Sequence, residues 1–208
     1  MGILLQNRML GLNKKEQIMA FKKEVVEIIE PKDVFVGNPD APVTLMEFGE
    51  YESEACARAN EVVKQLLETY EGKIRFNFRH FPLTRIHQRA LKAAEAAVAT
   101  AQDGKFWEMH NILFANRRNL GTTSLKLHSK EAGVNNKHFL DDLVNAMYGW
   151  QVQGDLRNGL DRGVKDVPTF FINDVVFTGK PTFSELSKAI DEALKQAKKK
   201  KPAARQRA

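Results

Sequence analysis

The chain has 208 residues, 43% of them hydrophobic and 28% charged, proportions that exclude a fibrous repeat and a wholly disordered chain. Its length suits one domain, or one domain carrying an insertion. No apolar run approaches the roughly eighteen residues of a membrane-spanning helix, and a single cysteine excludes any disulfide within the chain.

The formal net charge of +6 belongs to the end of the sequence. Residues 195–208 hold seven bases and no acid, which leaves 25 bases against 26 acids in the rest. This basic tail reads as a solvated segment rather than a surface for specific nucleic acid. At the other end, Ile3-Leu4-Leu5 is cut short by Gln6-Asn7-Arg8, too little for an export signal, so the expected location is the cytoplasm.

In chain order, Ile18, Phe21, Val25 and Ile28/Ile29 recur at helical spacing before Pro31. They predict an N-terminal helical extension over 1–32. A turn at Gly37–Pro42 feeds the apolar run Val43–Gly49, read as a buried strand with one acid, Glu47, inside it. A buried carboxylate is costly and usually has a partner or a task. Ser53 is a good helix cap, and Val62, Val63, Leu66 and Leu67 give the following helix its apolar face, to about Tyr70. Ile74–Phe81 then alternates apolar and polar residues and reads as a strand. Residues from about 85 to 162 read as helices. Asp166–Asn173 returns to strand, and Val175–Gly179 pairs with it across an Asn173-Asp174 turn. A closing helix runs from 182 to about 197, with Phe183, Leu186, Ile190 and Leu194 along one side. The order is β-α-β, a helical block, then β-β-α, which predicts a mixed sheet of four or five strands, with the helical block covering one edge of it.

The turn from strand to helix at Glu47–Cys56 resembles the DsbA-like branch of the thioredoxin superfamily. There an acid-bearing strand runs into a C-x-x-C pair at a helix start, and Glu47 lies six residues before the first of the two positions. Phe78-Arg79-His80-Phe81-Pro82-Leu83, Lys105–His110, and Gly163–Asn173 with Pro168 inside it carry the resemblance onward, over roughly residues 33–193. It implies an α/β, thioredoxin-like fold with an inserted helical domain in 33–194, followed by the basic tail 195–208. It also implies a cis Val167–Pro168 peptide facing the pair. The expected catalytic positions are Ser53, Cys56 and Glu47, and the expected substrate contacts are Tyr51, Val167 and Pro168. The implied partner is a peptide or protein thiol or disulfide.

The departure from that pattern governs the chemistry. The pair reads Ser53-Glu54-Ala55-Cys56, so serine stands where the attacking cysteine belongs. Disulfide exchange needs a thiolate that attacks sulfur, and a serine hydroxyl neither ionises nor forms a disulfide. Cys56 alone reads as a small buried hydrophobe or a single reactive thiol. The acids Glu50, Glu52 and Glu54 are expected to oppose a thiolate. Dithiol activity is therefore expected to be lost or altered, leaving peptide or partner binding near Pro168. Alternatively, the site is similar to that of kappa-class glutathione transferases, in which a serine hydroxyl donates to the glutathione thiolate; otherwise no cofactor is expected. The five histidines, His80, His87, His110, His128 and His138, lack metal-ligand spacing and read as core or surface residues.

Overall fold

A computed structural model describes residues 28–205. Most of the expected N-terminal helix lies outside the described residues, and Ile28 and Ile29, its last two positions, are not helical. The chain enters through a short 3-10 turn, Pro31–Asp33, and a three-residue strand β1, Phe35–Gly37. Strand β2 (Val43–Gly49), helix α1 (Glu54–Thr69) and strand β3 (Ile74–His80) follow. Five helices come next: α2 (Ala90–Ala101), α3 (Phe106–Ala115), α4 (Thr122–Glu131), α5 (Phe139–Val144) and α6 (Gly149–Asp161). Strands β4 (Thr169–Ile172) and β5 (Val175–Val176) and helix α7 (Phe183–Arg205) complete it.

The sheet order is β1-β3-β2-β4-β5. Strands β2 and β3 run parallel, joined by α1, while β1 and β4 are antiparallel to their neighbours. The hairpin turn between β4 and β5 places Asn173 at φ 48° and Asp174 at φ 66°. Two successive left-handed residues match the twist of paired strands, and Asn and Asp tolerate that conformation best after glycine.

Strand alternation gives the sheet two faces. Leu45, Glu47, Phe76, Phe78 and His80 point to one of them. Helix α3 covers it, with Phe106, Trp107, His110 and Phe114 against Phe76, Phe78 and His80. Phe48 and Arg79 point to the other face, where α6 lies. Arg79 Nε donates to Asp155 Oδ1 of α6 at 2.7 Å, and Asp155 Oδ2 accepts the His80 backbone N–H at 2.8 Å. The helical block thus straddles the sheet instead of covering one edge, because its aromatic helix and its acid-bearing helix each fit a different face.

Helix α7 buries Leu186 and Ile190 and is tied to α1 by the Tyr70 hydroxyl, which donates to Asp191 Oδ1 at 3.0 Å. It continues past the expected end near 197 to Arg205. Lysine is a good helix former, and the 198–201 lysines do not interrupt the helix.

Candidate functional site

The site is built where β2 ends. Gly49, its last residue, has no room for a side chain: an added Cβ would sit 2.7 Å from the Phe78 ring and 2.8 Å from Glu47 Oε1. The chain then turns through Glu50-Tyr51-Glu52 into Ser53, the N-cap of α1. Ser53 Oγ accepts the Cys56 backbone N–H at 3.3 Å, satisfying one of the donors a helix start leaves free. Antiparallel pairing of β2 with β4 sets Phe48 opposite Thr169. Pro168 and Val167, immediately before Thr169, therefore come to the same end of the sheet as Ser53. The Val167–Pro168 peptide is cis.

Cys56 is wholly buried, at 0% exposure. Burial pushes its thiol well above the ordinary range, and the nearby Glu47 adds to the rise; the Glu50 backbone N–H and the Ser53 hydroxyl pull the other way by less. Glu47 is buried too, and Oε1 has no hydrogen-bond partner. Burial raises its own pKa well above the usual carboxylate range, which favours the protonated acid, as burial favours the protonated thiol beside it.

Tyr51 does not line a substrate surface. It is fully buried, its ring packed on Phe78 and Phe114 and its hydroxyl 3.2 Å from His110 Nδ1. His110 Nε2 is 3.1 Å from Asn60 Oδ1. A carboxamide oxygen only accepts, so Nε2 carries the proton and Nδ1 accepts from the tyrosine. Burial pushes His110 down to about 3, with His80 and Lys64 adding to the effect, which keeps the imidazole neutral. His80, behind it, is also pushed down to about 3 by burial and by Arg79, and both its ring nitrogens lack a partner. Tyr51, expected from the resemblance to contact substrate, is thus a pillar of the aromatic core.

The three acids around Ser53 do not act as free charges. Glu50, buried, takes the His87 ring on one oxygen and the Glu52 backbone N–H on the other at 2.8 Å. Burial raises its pKa, while the Glu52 amide and His87 oppose the rise. Glu52 accepts the Arg89 backbone N–H at 2.9 Å. Glu54 pairs with Arg58 at 2.7 Å and Arg117 at 3.1 Å. The loop before α2 is therefore tied to the Ser53 turn by two carboxylates. The sequence does not announce the pairing of Glu50 with His87, because 37 positions separate them and no short motif links them. Among the described residues no group of three or more metal-ligating side chains comes together.

A β-α-β unit and a β-β-α unit around an inserted helical block, with a capped helix start opposite a cis-proline loop, define a protein of the thioredoxin fold. A family model described as thioredoxin matches residues 30–192. The chain belongs to the DsbA-like thioredoxin-fold family. Among solved structures, it is similar to oxidised BdbD from Bacillus subtilis (TM-score 0.72, 22% identity, 80% of this chain and 93% of that one). It is also similar to a thioredoxin-like oxidoreductase from Silicibacter pomeroyi (TM-score 0.69, 25% identity, 78% and 92%). A third likeness is to the thiol-disulfide exchange protein alpha-DsbA2 from Wolbachia pipientis (TM-score 0.66, 25% identity, 86% and 94%). Curated relatives include proteins named Na(+)/H(+) antiporter NhaA. The one from Salinispora tropica is 29% identical over 93% of this chain and 30% of its own length. That from Mycobacterium sp. strain KMS is 31% identical over 80% of this chain and 28% of its own length. The chain thus spans less than a third of these relatives, and none of its described helices is long and apolar enough to cross a membrane.

Proposed function

We propose that this protein uses the DsbA-like site to bind a peptide or protein thiol or disulfide without completing dithiol exchange. The observation that carries this reading is the state of the one sulfur. Cys56 is closed off from solvent and held as a neutral thiol by burial and Glu47, while the position that would attack is a serine serving as a helix cap. Exchange requires an accessible thiolate, and this pair supplies none. The cis-proline loop remains at the same end of the sheet. Val167 spends its N–H on the Asp166 carboxylate at 2.8 Å, which leaves its carbonyl as the main-chain group to meet an extended peptide.

The test is an insulin-reduction assay on the unmodified protein and on Ser53→Cys. The expected result is no activity in the first and measurable turnover in the second. Normal turnover by the unmodified protein would overturn the reading.

A second reading, a glutathione-binding enzyme that uses Ser53, gains support from the engaged acids. Glu50, Glu52 and Glu54 each have a hydrogen-bond or ion-pair partner, so the turn repels an anionic tripeptide less than its composition suggests. Titration calorimetry with reduced glutathione separates the two readings, since only the second expects saturable binding lost in Ser53→Ala.

A further inference from the structure

Beside the cis-proline loop lies an open cleft of about 520 Å³. Its walls come from the segment after β3, from α6, and from the chain that leads into Val167. Phe81 and Val164 form a buried floor. Ile86 and Leu160 stand at the rim, 69% and 58% exposed, and aliphatic side chains that open to solvent at a concave surface mark a place where something apolar sits. Two segments that line the cleft adjoin the site. Phe81 donates its backbone N–H to the Gly49 carbonyl at 2.8 Å, next to the Ser53 turn, and Val164-Lys165 runs directly into Asp166-Val167-Pro168.

The charge of the lining is of one sign. Arg85 and Lys165 are its charged residues; both are exposed, and neither has an ion-pair partner among the described residues. Asp161 and Asp166 are close in sequence but do not line it, and Asp166 is turned to the Val167 amide. Two free cations beside an apolar floor complement a ligand with an apolar anchor and carboxylates next to it.

We infer that the cleft is the specificity pocket of the site and takes a peptide segment in which a bulky apolar side chain is flanked by acidic residues. The anchor fills the space over Phe81 and Val164 between Ile86 and Leu160, and the flanking carboxylates meet Arg85 and Lys165. This rests on the peptide-binding reading of the site and specifies the class of peptide it takes.

Fluorescence anisotropy tests it with two labelled short peptides that share a Leu-Phe centre, one flanked by aspartates and one by lysines. The acidic peptide is expected to bind about tenfold tighter at low salt, with the preference shrinking as salt screens the rim. Arg85→Glu combined with Lys165→Glu, both at exposed positions, is expected to reverse the preference. Leu160→Ser is expected to weaken both peptides. Equal binding of the two peptides, or an acidic preference that survives the double charge reversal, overturns the inference and leaves peptide binding standing. Binding of neither peptide overturns both.

Discussion

Ser53 and Cys56 face each other across the first turn of α1, the serine oxygen accepting the cysteine backbone N–H at 3.3 Å. Their spacing puts the two side chains one turn apart on the same helix start. A sulfur in place of the Ser53 oxygen would lie within reach of Cys56 without moving the backbone. Ser53→Cys is therefore expected to form an internal disulfide under mild oxidation, read as the loss of two titratable thiols and a mass decrease of about two protons. Ser53→Ala keeps the fold and loses the cap, and its unfolding free energy is expected to fall by about 1 kcal/mol. Two thiols that stay free under oxidation in Ser53→Cys would mean that the pair no longer has disulfide geometry.

Cys56 itself should be inert. It is fully buried, and burial and Glu47 both disfavour its thiolate. Iodoacetamide at pH 8 is expected to leave the native protein unlabelled and to label one site after denaturation. Rapid labelling of the native protein would show that the first turn of α1 opens readily.

The outline of the fold was legible because it rests on local signals. The apolar run Val43–Gly49, the alternation in Ile74–Phe81 and the Asn173-Asp174 turn each announce their element without help from elsewhere. Strand β1 sends no such signal, since three residues, Phe35–Gly37, give no period to read. Ser53, Cys56, Glu47 and Pro168 could be picked out by their places in the motif. The pairs that hold the surroundings could not. Glu50 with His87, and Arg79 with Asp155, join residues 37 and 76 positions apart, and their meeting depends on how the helical block settles on the sheet.

Asp155 is the more consequential of these partners. It neutralises Arg79 and accepts the His80 backbone N–H while almost fully buried. Removing it leaves a buried guanidinium and a buried amide without partners. Asp155→Ala is expected to lower stability by about 3–5 kcal/mol in chemical denaturation. Asp155→Asn, which keeps an acceptor, should lose less. A loss under about 1 kcal/mol in Asp155→Ala would mean that water replaces the carboxylate.

Close approach of α6 depends on Gly159. A Cβ there would fall 2.6 Å from the Phe81 ring and 3.1 Å from that of Phe48, two rings that already meet edge to face at 6.4 Å. The helical propensity gained by alanine, about 1 kcal/mol, opposes an overpacking cost of about 1–3 kcal/mol. Gly159→Ala is expected to be neutral to destabilising and, by shifting Phe81, to weaken peptide binding in the adjoining cleft. A stabilised variant with unchanged binding would show that the rings yield freely.

Acid and base act in opposite senses on the two buried histidines and on Glu47. His80 and His110 have folded pKa values near 3, below their ordinary 6.5. The unfolded chain therefore takes up protons first, and their contribution to stability is lost as pH falls from about 6.5 toward 3. Glu47 works in the opposite sense. Its folded pKa is raised above 4.5, so the unfolded state releases its proton first, and stability falls as pH rises from there until the folded group ionises. Glu47→Gln removes this second effect and leaves the first. In urea denaturation the variant is expected to gain on the unmodified protein steadily from pH 4.5 upward and to share its decline toward pH 3. A difference between the two proteins that stays constant across that range would mean that Glu47 is ionised in the folded state and has found a partner, in which case the neutral acid beside Cys56 is wrong.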